Sequence, residues 1–212
     1  MTFQPQFRLW FAAFLIWLFN ISAIIGMTIG HKEWFLVKTP LNLLINLSLF
    51  FWVFSINDIK KALLFLLFFA MGMFAEWLGV NYGILFGEYV YGENLGPKLD
   101  GVPLLIGCFW ALLAFTTAAI VSPLKVSIYI KMAFAAGLMV LLDYFMEQNA
   151  PNFDFWTFEG HVPLKNYITW FVIGFLMQVF LWKFKISGNR AISMHLYGAQ
   201  LLFFIYFFLV RV

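Results

Sequence analysis

Apolar residues fall along this chain in blocks long enough to cross a bilayer, separated by short clusters of charged residues, glycine and proline. A helix needs about 20 predominantly apolar residues to cross a hydrocarbon layer of about 30 Å. By that measure the pattern predicts seven spans, over residues 7–29, 40–57, 62–80, 102–121, 126–147, 167–186 and 192–211. The expected fold is all-α: a polytopic integral membrane protein, with residues 1–212 forming one transmembrane domain. Between spans three and four the helical pattern fails, because residues 74–107 are crowded with glycine, proline and aromatic residues that a plain helix cannot carry. An irregular segment is expected there. No small-residue cleavage pattern follows the first block, so it is read as a retained span rather than a signal peptide.

Composition adds mainly exclusions. With 64% hydrophobic, 22% aromatic and 11% charged residues, the chain leaves no stretch from which a separate soluble domain could be built. The formal charge of +3 is scattered over short loops with no basic run, so nucleic acid is not an expected partner. Sorting the basic residues by predicted side puts Arg8, Lys60, Lys61, Lys125, Lys131, Lys183, Lys185 and Arg190 with the amino terminus, against Lys32, Lys38, Lys98, Lys165 and Arg211. The positive-inside rule then predicts a cytoplasmic amino terminus. Carboxylates are more one-sided: of the 10 acidic residues, Asp58 alone lies toward the amino-terminal side.

Several chemistries are excluded by count or spacing. The lone Cys108 rules out internal disulfides and thiolate metal clusters, and three histidines, His31, His161 and His195, are too few for a histidine-rich di-iron site. The last span holds no lysine for a retinal Schiff base, and no serine sits in a G-x-S-x-G turn. Polyprenyl transfer needs paired aspartate motifs for magnesium diphosphate, of which Asp143 and Glu147 could supply at most one half.

What remains is acid chemistry inside the membrane. Glu76 lies about 21 Å along its helix from Ala62, well past the midplane, and an ionisable residue at such depth is functional by default. Gly72 and Gly79 share its side of the helix and leave room for a neighbour or ligand. Asp143 and Glu147 stand one turn apart on one face of the fifth span. The loop over residues 149–163 is expected to act as a lid above them. Asn20, Asn42 and Asn46 read as interhelical hydrogen bonds, and the aromatics of spans one, two and seven as lipid-facing or interfacial anchors. A buried carboxylic acid can protonate an alkene, aromatic faces can stabilise the tertiary cation, and a second carboxylate can orient the water that captures it. Such a reaction calls for no cofactor and no metal.

Two blocks carry a family resemblance. The first is Glu76-Trp77, Gly79, Tyr82-Gly83, Phe86-Gly87, Tyr89, Tyr91-Gly92, Leu95-Gly96-Pro97, Gly101-Val102-Pro103, Ile106-Gly107 and Trp110. The second is Asp143, Met146-Glu147, Ala150-Pro151, Trp156, Val162-Pro163, Asn166 and Trp170. Together, over residues 74–171, they closely resemble the CruF-type carotenoid 1,2-hydratase family, which includes bisanhydrobacterioruberin and γ-carotene hydratases. Thr169 and His161 depart from that pattern, which has a glycine at the first and an aromatic-glycine pair at the second. The resemblance implies hydration of the terminal double bond of an acyclic ψ end group in carotenoid biosynthesis. Its implied setting is a prokaryotic cell membrane, with an apolar carotenoid, water and lipids as partners. Glu76, Asp143 or Glu147 would donate the proton and another of the three would orient the water. Trp77, Tyr82, Glu88, Tyr89, Tyr91, Trp110, Asp154, Trp156, Asn166 and Trp170 are the expected substrate-binding residues. A small proton- or ion-coupled transporter and a carotenoid-binding protein without chemistry stand as alternatives.

Overall fold

The computed structural model describes residues 5–54, 56, 58–186 and 188–210. Six helical segments are long and apolar enough to cross a membrane, and a shorter apolar helix accompanies them. The first segment is broken: α1 (Pro5–Gly26) runs through a π-helical turn, Met27–His31, into the short α2 (Lys32–Leu36), with Gly30 at φ 101° making the break. Next comes α3 (Thr39–Phe54), whose 16 residues reach about 24 Å at 1.5 Å each. The predicted second span is thus shorter than a full crossing. Positions 57 and 211, where two predicted spans end, lie outside the described residues.

The other crossings are α4 (Ile59–Tyr82), α5 (Leu104–Val121), α6 (Ile128–Glu147), α7 (Leu164–Lys183) and α8 (Arg190–Val210). Local chemistry sets their ends. The Asp58 carboxylate accepts the Lys60 N–H at 3.0 Å and starts α4, and Ser127 does the same for α6 through Ile130 N–H. Gly83 stops α4 in the left-handed region, φ 63°, with its N–H on the Gly79 carbonyl. Because α5 is apolar on every side, it belongs in the middle. It is buried along most of its length and packs against α3, α4, α6, α7 and α8.

The irregular segment and the long loop close over one end of this bundle together. β1 (Tyr89–Tyr91) pairs antiparallel with β4 (Trp156–Phe158), in register Tyr89 with Phe158 and Tyr91 with Trp156. A second small ribbon joins β2 (Lys98–Leu99) to β3 (Val102–Pro103) at the head of α5. The expected lid is a roof tied down by backbone hydrogen bonds, extended by Gly92 N–H to the Phe155 carbonyl at 2.9 Å. A Cβ on Gly92 would stand 2.2 Å from Asp154 Oδ1 and 2.3 Å from its backbone oxygen. Gly92→Ala should part β1 from β4, lowering stability by about 1–3 kcal/mol. Thermal melting with limited proteolysis checks this: new cleavage should appear between β1 and β4, and an unchanged digest would count against the roof.

Candidate active site

Glu76 projects from α4 beneath the roof and is 4% exposed. Its two flanking glycines make room for rings. A Cβ on Gly72 would lie 2.7 Å from Trp110, and one on Gly79 would lie 2.7 Å from the Tyr89 hydroxyl. Trp110 Nε1 donates to Glu76 Oε1 at 2.9 Å, and Tyr91 Oη donates to Oε2 at 2.8 Å, as does Tyr89 Oη. Burial, and then the neighbouring Glu76 carboxylate, push both phenols well above the usual tyrosine range. They stay O–H donors throughout biological pH. Gly79→Ala should displace Tyr89 and cost about tenfold in activity, the loss of one charge-assisted hydrogen bond. Full activity would show the Tyr89 bond to be dispensable.

The other two acids hang from the end of α6. Asp143 is 1% and Glu147 6% exposed, and Asn166 Nδ2 on α7 donates to both, to Asp143 Oδ2 at 3.2 Å and Glu147 Oε1 at 3.0 Å. Trp156 Nε1 in β4 donates to Glu147 Oε2 at 2.6 Å. The i, i+4 spacing on α6 sets the two acids one above the other, and one amide bridges them.

All three carboxyl groups border one chamber of about 20 Å³. That is room for a single water molecule, which needs about 10–15 Å³. Tyr89, Tyr91, Trp156 and Phe158 roof it, and Phe86 and Trp170 form its sides. Trp170 stacks on Trp110 with ring centroids 3.5 Å apart and planes at 13°, so the indole that lines the chamber is backed by the one that bonds Glu76. The remaining wall is Ile106, Phe109 and Met146. On their far side lies a much larger apolar cavity of about 480 Å³, between α1, α2, α3, α5, α6 and α8. A volume of that size suits a small organic ligand or one segment of a long one.

Four of the expected site residues are not brought to the chamber. Trp77 turns outward and donates to Asp100, and Tyr82 is 61% exposed and packs on Trp77. Glu88 stands on the outer edge of the roof, where its backbone carbonyl accepts the Glu159 N–H. Asp154 holds the turn into β4, accepting the Glu93 N–H at 2.9 Å from a left-handed conformation. The two departures from the family pattern also lie apart: Thr169 binds the Leu85 carbonyl at 2.8 Å, and His161 is exposed.

Other residues enter that the sequence reading assigned elsewhere or passed over. Phe86, Ile106 and Met146 sit inside the quoted motifs without a role, and Phe158 follows Trp156 at the two-residue period of a strand. Asn20 and Asn46 do not bond between helices, as expected, but within their own: Asn20 to the Ile16 carbonyl at 2.8 Å and Asn46 to Asn42 Oδ1 at 3.0 Å. All three asparagines line the large cavity. Trp10 and Phe14 face outward as expected for anchors, whereas Phe19, Phe203 and Phe204 line that cavity.

A family model described as "Carotenoid biosynthesis protein" matches residues 38–212. Bisanhydrobacterioruberin hydratase from Haloarcula japonica is 30% identical over 108 residues, covering 47% of this chain and 37% of that protein. The match thus spans little more than a third of the relative's length. No solved structure matches.

Proposed function

The chain belongs to the carotenoid biosynthesis protein family, and from that premise we propose that it is a carotenoid hydratase. It adds water across the terminal C1=C2 bond of an acyclic ψ end group. The observation that carries this reading is the water-sized chamber bordered by three carboxyl groups and walled by rings, next to a large apolar cavity. The name of the relative supports hydration as the reaction.

Hydrogen bonding divides the roles. Glu76 accepts three donors, the arrangement that suits an ionised carboxylate, while Asp143 has Asn166 as its one hydrogen-bond partner among the described residues. Asp143 is therefore assigned as proton donor and Glu76 as base. Asp143 gives its proton to C2, and the positive charge left on C1 faces the indole of Trp170 and the ring of Phe86. Water attacks C1 and passes a proton to Glu76. That proton returns to Asp143 through water, so alkene plus water gives a tertiary alcohol with both carboxyl groups restored. Glu147, held by Trp156 and Asn166, orients the water. The substrate enters from the bilayer of a prokaryotic cell membrane, with the amino terminus of the protein cytoplasmic.

Expression in cells that make acyclic carotenes tests the function. Pigments should gain the mass of one water per converted end. Recovery of bound but unchanged pigment would make this a binding protein instead.

A further inference from the structure

In an antiparallel ribbon only alternate residue pairs exchange backbone hydrogen bonds. Between β1 and β4 these include Glu159 N–H to the Glu88 carbonyl and Gly92 N–H to the Phe155 carbonyl, both at 2.9 Å. Tyr91 and Trp156 face each other on a rung that carries no such bond, so the Tyr91 carbonyl points away from β4. Lys98 in β2 takes it up: Nζ donates to that carbonyl at 3.0 Å and to Glu93 Oε1 at 2.8 Å. The peptide group between Tyr91 and Gly92 is thus gripped from both sides, its N–H by β4 and its carbonyl by the second ribbon. The same rung serves two of the three acids. Side chains alternate along β1, so Val90 is 66% exposed while Tyr89 and Tyr91 turn into the chamber. Tyr91 Oη donates to Glu76 at 2.8 Å, and Trp156 Nε1, its ring edge-on to Tyr91 at 6.0 Å, donates to Glu147 at 2.6 Å.

We propose that Lys98, which does not border the chamber, is a positioning residue for it: its grip on the Tyr91 carbonyl fixes the rung whose side chains hold Glu76 and Glu147. The bond to the carbonyl is the one that matters. Its other partner, Glu93, has a side chain 85% exposed against 22% for Lys98, and an ion pair so open to water contributes little. A tyrosine hydroxyl stands at the far end of a rigid ring, so a small rotation of its peptide moves Oη further than it moves the backbone. Hydrogen bonds weaken steeply as they leave the line of the donor. Without Lys98 the ladder keeps its own bonds and β1 stays paired with β4, so the loss falls on the aim of Tyr91 at Glu76 rather than on the fold. The effect on rate rests on the hydratase reading, in which Glu76 takes the proton from water. The coupling of Lys98 to the Tyr91 hydroxyl does not.

A double-mutant cycle tests this, with wild type, Lys98→Met, Tyr91→Phe and the double variant purified in detergent and supplied with an acyclic polyene. Lys98→Met should lower kcat about tenfold with KM within about twofold, because the aim of a hydrogen bond changes and the substrate contacts do not. In the Tyr91→Phe background the same substitution should cost less than about twofold, since the hydroxyl it aims is already gone. An equal loss in both backgrounds would make Lys98 a mere prop of the roof and overturn the proposal, as would full activity of Lys98→Met. Glu93→Gln should stay within about twofold of wild type, and a tenfold loss there would assign the effect to the ion pair instead. Lys98→Arg, which keeps a cationic donor, should stay within about threefold; a tenfold loss in it overturns the proposal whether or not Lys98→Met folds. Melting of the same four proteins reads the coupling without any reaction. If wild type hydrates no polyene, the hydratase reading fails and melting alone decides. The fall in Tm caused by Lys98→Met should shrink by about half or more in Tyr91→Phe, and strict additivity overturns the coupling.

Discussion

Asp143→Asn should lower the rate of hydration by about a thousandfold, within the range that general acid catalysis contributes. The substitution changes almost nothing else. Asparagine keeps the shape of aspartate, and its amide oxygen can still accept from Asn166, so the packing of α6 on α7 is preserved. What disappears is a transferable proton beside the alkene. Glu76→Gln should have an effect of similar size for the opposite reason: the amide oxygen can still accept from Trp110 while the NH2 turns to the Tyr89 and Tyr91 hydroxyls, which can accept in their turn, but no base takes the proton from water. Glu147→Gln should cost less, because Glu147 acts by placing the water. Full hydroxycarotenoid yield from all three variants, with pigments analysed by chromatography and mass, would end the acid-base account.

Ile106→Trp should block turnover by about a hundredfold while leaving the acids untouched. Ile106, Phe109 and Met146 border both cavities, so a polyene lying in the larger space can reach Asp143 only by displacing one of them. A bulky indole at 106 fills the passage, and moving a reacting atom by even 1 Å can cost about a hundredfold. The overpacking itself should destabilise by about 1–3 kcal/mol, which a melting curve would register separately. The distinguishing readout is that polyene still quenches tryptophan fluorescence when turnover is gone. Unimpaired turnover would mean that substrate reaches the acids by another route.

Much of this arrangement is legible in the sequence because it depends on helix geometry. The i, i+4 spacing of Asp143 and Glu147, the burial of Glu76 far along α4 and the glycines on its side are consequences of 3.6 residues per turn. The roof is legible only in part. Strands of three residues give almost no periodic signal, and pairing Tyr91 with Trp156 is a contact between distant segments that local pattern does not announce. The same limit misplaced Trp77 and Tyr82: both lie in the quoted motif, but they project from the outer side of α4 and its end. Asn42 and Asn46 show a third kind of ambiguity. Two amides one turn apart can bond across helices or to each other, and the choice here follows from the large cavity opposite them. That cavity is bordered by residues from both sides of the break at Gly30, including Met27, Trp34 and Leu36, and a single glycine in a long apolar block gives little warning of it.

The central claim is that a proton from a protein carboxyl group and the oxygen of water are added in one small chamber bordered by Glu76, Asp143 and Glu147. It is tested most directly by letting the purified protein convert an acyclic polyene in deuterium oxide enriched in heavy oxygen. The account predicts one deuterium on the carbon next to the new carbinol and a hydroxyl oxygen drawn from the solvent. A product with no deuterium on carbon, or with its oxygen taken from dioxygen, would contradict it.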